Sequence, residues 1–284
     1  MKKDRFGISW KYELSLGIFS NLDKIDLIEV ISDDYLDATK NKLNLLKTIS
    51  NQVPLSFHSI QLGIASTVPV KKEIMKKLGR LMEKIQPIYW SEHLAFVRGG
   101  KIELRHLAAP PWNNKTLNGT LQNLELITKT LGSRPLVENI ATLIYPPMSE
   151  LTEAEWVRDV LRYGNVNMLL DLHNLYVNSV NFEFDPYAYI SLIPPERIKT
   201  IHIAGGEWFV YRNNKRLLDD HLHSIPDSVF EMLTFLGSYV HNPLDIILER
   251  DGNFPEMKVL LDELERARSS LKKGRMLNHE FAKV

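Results

Sequence analysis

Residues 168–178 read MLLDLHNLYVN. An apolar run of the kind that builds a buried strand ends by placing Asp171 and His173 two residues apart, and side chains two apart on a strand point the same way. The reading is a strand over NMLLDLHN (167–174) that delivers a carboxylate and an imidazole to one face at its end.

Working outward, seven more short apolar runs share this character: RFGISW (5–10), DLIEVI (26–31), PLSFH (54–58), YWSEHLAF (89–96), RPLVEN (134–139), KTIHIAG (199–205) and LDIILER (244–250). Segments with helical spacing lie between them, at 39–50, 70–85, 118–132, 152–164 and 255–273. In the last, Met257, Leu260, Leu261, Leu264 and Ala267 fall on one face, as an amphipathic helix needs. Thr152, three residues before Glu155, has the pattern of a capping box. Eight strands alternating with helices predict an α/β fold, a single (β/α)8 TIM barrel over residues 1–284. The competitor is an open doubly wound sheet, but no glycine-rich turn follows the first strand.

Composition narrows the function. Hydrophobic residues make up 44% of the 284 and charged residues 25%, ordinary values for a globular protein. Lys plus Arg equals Asp plus Glu, 35 each, so no global field gathers nucleic acid or membrane phosphates, and neither is expected as a partner. Cysteine is absent, which removes disulfides, thiolate metal sites and Cys nucleophiles together. Any metal must be held by His, Asp, Glu, Asn or water, a donor set suited to iron, manganese, zinc or magnesium. The N-terminal MKKDRFGISW has no apolar core after its lysines, and no stretch approaches the roughly 20 apolar residues of a membrane span. The expected location is the cytoplasm.

A TIM barrel carries its chemistry at the C-terminal ends of its strands. Those positions hold His58, His93, Glu138, Asp171 with His173, His202, and Glu249, while Glu29 interrupts the second strand. Taken singly, each has a plain reading. His58 is a hydrogen-bonded structural residue, Glu138 a cap for the next element, and Glu249 part of an ion pair with Arg250 and Asp251. Taken together they are costly to bury unless cations or mutual hydrogen bonds compensate, and bound metal is the economical compensation. LLDDHLHSIP (217–226) adds Asp219, His221 and His223, spaced by two, which an extended loop would aim to one side. His106, His241 and His279 read as structural or surface residues. The donors exceed the demand of one four-coordinate ion, so the site reads as multinuclear, with Glu138 or Asp171 available as a bridge. Glu138, Asp171 and His173 are the candidate catalytic residues.

Eight segments, in this order, resemble the multinuclear non-heme iron-dependent oxidative enzymes: LIEVISDDYL (27–36), VPLSFHSIQLGIAS (53–66), WSEHLAF (90–96), VENIATL (137–143), LLDLHNLYVNSVN (169–181), IHIAGG (201–206), DDHLHSIP (219–226) and ILERDGNFPE (247–256). The resemblance implies a xylose-isomerase/endonuclease IV-like barrel holding two or three non-heme iron ions, with dioxygen as co-substrate. It implies a cysteine-containing, ribosomally made precursor peptide as substrate and a small leader-binding partner protein. Carried over position by position, His58, His93, Glu138, Asp171, His202 and Glu249 match the ligands of the central iron pair, with Glu138 as the bridge. Asp219 and His221 match ligands of a third iron, which His173 could tighten; that position more often holds Asn or another polar residue in the family. Asp251 and Asn253 would orient Glu249. GISWKYEL (7–14) and RHLAAPPW (105–112) match less closely and are expected to shape the substrate channel. Rival readings on the same barrel are a metal-dependent phosphodiesterase or endonuclease, a sugar isomerase or epimerase, and a non-catalytic metal-binding scaffold, with metal identity separating oxidation from hydrolysis and isomerisation.

Overall fold

The strands, in chain order, are β1 (Arg5–Ser9), β2 (Leu27–Ile31), β3 (Leu55–Ser59), β4 (Trp90–His93), β5 (Phe96–Gly99), β6 (Ile102–Ala108), β7 (Leu136–Glu138), β8 (Asn167–Asp171), β9 (Ile198–Ile203), β10 (Glu207–Tyr211), β11 (Asn214–Leu218) and β12 (Asp245–Leu248). Every one of the eight runs read as strands is among them. Those eight form a closed barrel in the order β1-β12-β9-β8-β7-β4-β3-β2. The structure is a computed structural model that describes residues 3–100, 102–212 and 214–281. Among them no helix is long and apolar enough to cross a membrane.

The helices are α1 (Ser15–Phe19), α2 (Lys40–Ser50), α3 (Lys72–Ile85), α4 (Asn114–Leu131), α5 (Glu153–Gly164), α6 (Leu172–Phe182), α7 (Pro186–Leu192), α8 (Asp227–Tyr239) and α9 (Met257–Phe281). Cα proximity divides the chain into two units, one of Leu27–Ile140 with Ile144–Leu169, the other comprising the remainder.

In the first unit β2, β3, β4 and β7 pair in parallel succession, and β7 pairs with the start of β8. Residues such as Leu27, Ile28, Val30, Phe57 and Val137 are fully buried, which is why these strands read as near-continuous apolar runs. The segment after β3 has no regular structure, and Asn123 of α4 holds it. Its side-chain amide donates to the carbonyls of Ile64, Ser66 and Val68, and its oxygen accepts from the Val70 N–H. In the second unit β12 pairs in parallel with β1 on one side and β9 on the other. The apolar face read along the last helix is largely the buried one, with Leu260, Leu264, Ala267 and Leu271 at the core.

Two expectations are corrected. The strand read over 167–174 stops at Asp171, because the Asp171 side chain accepts a hydrogen bond from the Asn174 N–H and caps α6. Asp171 and His173 are therefore not neighbours on one strand face; His173 lies in the first turn of a helix. The run read over 89–96 also stops at His93, and Phe96 begins an antiparallel ribbon, β5 with β6. A second ribbon, β10 with β11, separates β9 from the Asp219 loop.

The capping box at α5 is present: Thr152 Oγ1 accepts from the Glu155 N–H, and Glu155 Oε2 accepts from the Thr152 N–H at 2.9 Å. Thr152→Ala removes the first of these and is expected to cost about 1 kcal/mol. Chemical denaturation of the variant, with an unchanged m-value, checks this.

Candidate metal centre

Three ligand-type side chains meet in the first unit. His58 sits near the end of β3, and His93 and Glu138 are the last residues of β4 and β7. The parallel register sets His58 opposite Ser91 and His93 opposite Glu138, so the strands themselves hold the side chains together. His58 Nε2 lies 3.3 Å from His93 Nε2 and 3.3 Å from Glu138 Oε2, and His93 Nε2 lies 3.4 Å from the same oxygen. Donors held about 2.1 Å from one ion, at angles between square and tetrahedral, stand about 3.0–3.4 Å apart. The triangle has the dimensions of a metal site, and its members are between 1 and 8% exposed.

The tautomer of His58 follows from its neighbour. Ser91 Oγ lies 3.3 Å from the Phe57 carbonyl and 2.7 Å from His58 Nδ1; with its proton given to that carbonyl it accepts from an Nδ1–H. The Nε2 lone pair is thereby turned into the triangle. Glu92, pointing to the other side of β4, accepts from the N–H groups of Leu62 and His93. Burial, reinforced by the nearby Asp33 charge, pushes its carboxyl well above the usual range.

The second unit holds overlapping groups. Asp219 Oδ1 lies 2.6 Å from His173 Nδ1 and 2.8 Å from His221 Nε2. The second approach is off the direction of a ring N–H and makes no hydrogen bond. His173 is fully buried, and its Nε2 has no hydrogen-bond partner among the described residues. With Nδ1 committed to Asp219, that atom is a lone pair available to an ion. His173, Asp219 and His221 offer ligand atoms within 4.8 Å of one another, as do Asp171, His221 and Glu249. His202 Nδ1 lies 3.1 Å from Glu249 Oε2.

Charge follows this geometry. Burial works to raise Asp219, but the His221 charge and the hydrogen bond from His173 outweigh it and hold the carboxyl well below its ordinary value. Burial works to lower His221, and the adjacent Asp219 outweighs it, so the imidazole is raised well above the usual range. Burial likewise opposes ionisation of Glu249, and His202 beside it brings the net shift downward.

Of the sequence-read residues, the structure brings His58, His93 and Glu138 together in one unit and Asp171, His173, His202, Asp219, His221 and Glu249 in the other. His223 departs from expectation: it turns to Asp220 at 3.1 Å and to Glu207 at 3.6 Å. The cause is His221, whose φ of 55° breaks the extended alternation that would have aligned all three. Asp251 lies 3.5 Å from His221 Nδ1 and 2.6 Å from Lys11, so it serves His221 as well as flanking Glu249. No hydrogen bond joins Asn253 to Glu249 among the described residues. Glu29 is buried and accepts from Ser56 Oγ at 3.4 Å. His106 and His241 are exposed, as expected, and the His279 side chain lies outside the described residues. Sequence reading missed Ser91, although its place two residues before His93 puts it on the same strand face.

The family described as "RiPP precursor modification enzyme MbnB/TglH/ChrH" matches residues 5–272. The chain belongs to this family. It is the family whose motifs the strand ends resemble, and its enzymes modify the precursors of ribosomally made peptides. A UPF0276 protein of Acinetobacter baylyi is 32% identical over 250 residues, 88% of this chain and 85% of that one. Another, of Acaryochloris marina, is 28% identical and covers 96% of both chains. Among solved structures, an L-ribulose 3-epimerase superposes with a TM-score of 0.59 at 16% identity, over 99% of this chain and 97% of that one. Endonuclease IV of Thermus thermophilus gives 0.58 at 13% identity, over 95% and 99%. These likenesses show the fold, a xylose-isomerase-like TIM barrel.

Ser91→Ala leaves the His58 ring without its Nδ1 acceptor. Affinity for a divalent ion at this triangle is expected to fall by about 10–100-fold, measured by equilibrium dialysis, with the far-UV spectrum unchanged.

Proposed function

We propose that this precursor-modifying enzyme is an oxidoreductase that uses two or three non-heme irons and dioxygen to oxidise cysteine residues of its peptide. The observation that carries the reading is the buried triangle of His58, His93 and Glu138, a nitrogen and oxygen donor set with the spacing of an ion site. Membership in a precursor-modifying family supplies the peptide. His58, His93 and Glu138 would hold one ion, Asp171, His202 and Glu249 a second, and His173, Asp219 and His221 a third.

Iron bound there would offer a place for a substrate thiolate and electrons for dioxygen. The chain's own residues do the holding. Ser91 keeps a proton on His58 Nδ1, and Asp219 does the same for His173 Nδ1, so each ring turns Nε2 outward as a donor. Asp171 gives one carboxylate oxygen to the Asn174 N–H, which fixes its angle at the head of α6. Glu138, Asp171 and His173 would act on the reaction through the ions they would hold. The absence of cysteine from the chain leaves the substrate's thiol without competition for metal or oxidant. In the cell the expected setting is the cytoplasm, with a small partner protein holding the peptide leader.

Anaerobic purification followed by elemental analysis and Mössbauer spectroscopy on iron-57-enriched protein tests the reading. Two or three irons per chain are expected in the wild type, and fewer in Glu138→Ala. Zinc or manganese with no iron, even after reconstitution, would overturn it in favour of hydrolysis or isomerisation.

A further inference from the structure

The ribbon β10–β11 grows out of the site. β10 begins five residues after His202, and β11 ends at Leu218, next to Asp219. Its base is packed tightly: a Cβ at Gly206 would meet the Leu218 carbonyl oxygen and lie 2.7 Å from His173 Cε1, so only glycine fits there. The ribbon pairs Trp208 with Leu217, Phe209 with Arg216 and Val210 with Lys215.

The two edges of this ribbon are treated differently. On β11, Asn181 of α6 acts as a third strand would: its amide donates to the Leu217 carbonyl at 2.9 Å and its oxygen accepts from the Leu217 N–H at 3.0 Å. Arg216 adds a bond to the Asn181 carbonyl at 2.7 Å. Leu217 therefore points its backbone groups away from β10, which makes Trp208–Leu217 a non-hydrogen-bonded pair of the ladder. By alternation Val210–Lys215 is one as well. It follows that the N–H and C=O of Trp208 and Val210 point outward from β10. No backbone hydrogen bond to them is found among the described residues outside the ribbon. That edge carries Trp208 (45% exposed), Phe209 (50%) and Val210 (63%), with Lys215 Nζ 3.8 Å over the Trp208 ring. Proteins ordinarily blunt such an edge with charge, proline or a covering element. Here one edge is covered and the other is left open and apolar.

We propose that the open edge of β10 binds the precursor peptide as an added strand, presenting it beside the His173, Asp219 and His221 group. The inference rests on the reading that the chain acts on a precursor peptide. Its occupant is fixed by chemistry: donors and acceptors alternating at strand pitch are matched by an extended peptide backbone. Main-chain bonds to Trp208 and Val210 supply affinity without demanding a sequence. The exposed Trp208 and Val210 side chains, on the same ribbon face, select apolar residues at alternate positions of the peptide.

Val210→Pro removes one outward N–H and leaves the β10–β11 ladder intact, since proline is tolerated where an edge N–H faces solvent. Val210→Thr keeps the N–H and the branched shape. A display library of random peptides around a fixed cysteine, selected on the metal-loaded full chain, provides the probes. Enriched peptides are expected to bind Val210→Pro about tenfold more weakly than wild type and Val210→Thr nearly as well. In the wild-type complex the amides of Trp208 and Val210 should gain hydrogen-exchange protection. That protection decides the matter alone should Val210→Pro melt early or lose metal. No enriched peptide, or enriched peptides that leave those amides unprotected, overturns the proposal. Iron content is read on the same samples. Protection at β10 in a chain without iron overturns the iron reading and leaves this one; iron without protection does the reverse.

Discussion

Around Glu138 Oε2 two imidazole nitrogens stand at 3.3 and 3.4 Å, and 3.3 Å from each other, in a place nearly closed to water. With Glu138 ionised, no placement of imidazole protons gives every edge of this triangle both a donor and an acceptor. With a proton on both Nε2 atoms, the two N–H groups face one another. With a proton on one, the other nitrogen and the carboxylate confront lone pair to lone pair. Ser91 further biases His58 toward the Nδ1–H form, so the lone pair at His58 Nε2 is the one most firmly set. A cation at the centre would take all three lone pairs at once and offset the burial of the carboxylate. The strands that carry these three side chains are paired in a way that fits this electrostatic demand.

The barrel meets the demand through register. Parallel strands with a side-chain period of two bring residues at matched heights to one face, and the pairings Ser91 with His58 and His93 with Glu138 do this for a tautomer-setting hydroxyl and three donors. A slip of one residue in β4 would exchange His93 for Glu92. Glu92 is already committed: it accepts from Leu62 and His93 N–H groups on the opposite side and anchors the segment that follows β3. The alternate register therefore loses the donor triangle and leaves buried amides unpaired. Core packing and the close approach of the three side chains select the same pairing.

This explains how much is legible in the sequence. Apolar runs ending in His, Glu or Asp identify both the barrel strands and the donors, because one periodicity governs each. What escapes reading lies where the periodicity changes. At Leu172 the chain passes from strand to helix with no glycine or proline to mark it; the only local signal is Asp171 three residues before Asn174, a side-chain cap. The ribbon of β10 and β11 escapes because it is inserted between β9 and the Asp219 loop, outside the strand–helix alternation by which the barrel is read. Ser91 is passed over because a hydroxyl carries no charge, though its effect on His58 is electrostatic.

The loop after β11 shows what the site demands of the backbone. Between Asp219 and His223 an extended chain would send all three acidic or imidazole side chains one way. Instead Asp220 Oδ1 accepts from the Leu222 N–H, and His221 takes a left-handed conformation that non-glycine residues adopt at a cost of about 1–3 kcal/mol. The His221 carbonyl is held in place by the Asp251 N–H at 2.9 Å. With the chain turned at that point, His221 Nε2 comes to 2.8 Å from Asp219 Oδ1 while His223 swings out toward Glu207. A glycine at 221 would relieve the backbone, yet it would remove the imidazole that the turn brings to Asp219. The strain and the imidazole are retained together, which places this loop among the parts of the chain shaped by chemistry more than by stability.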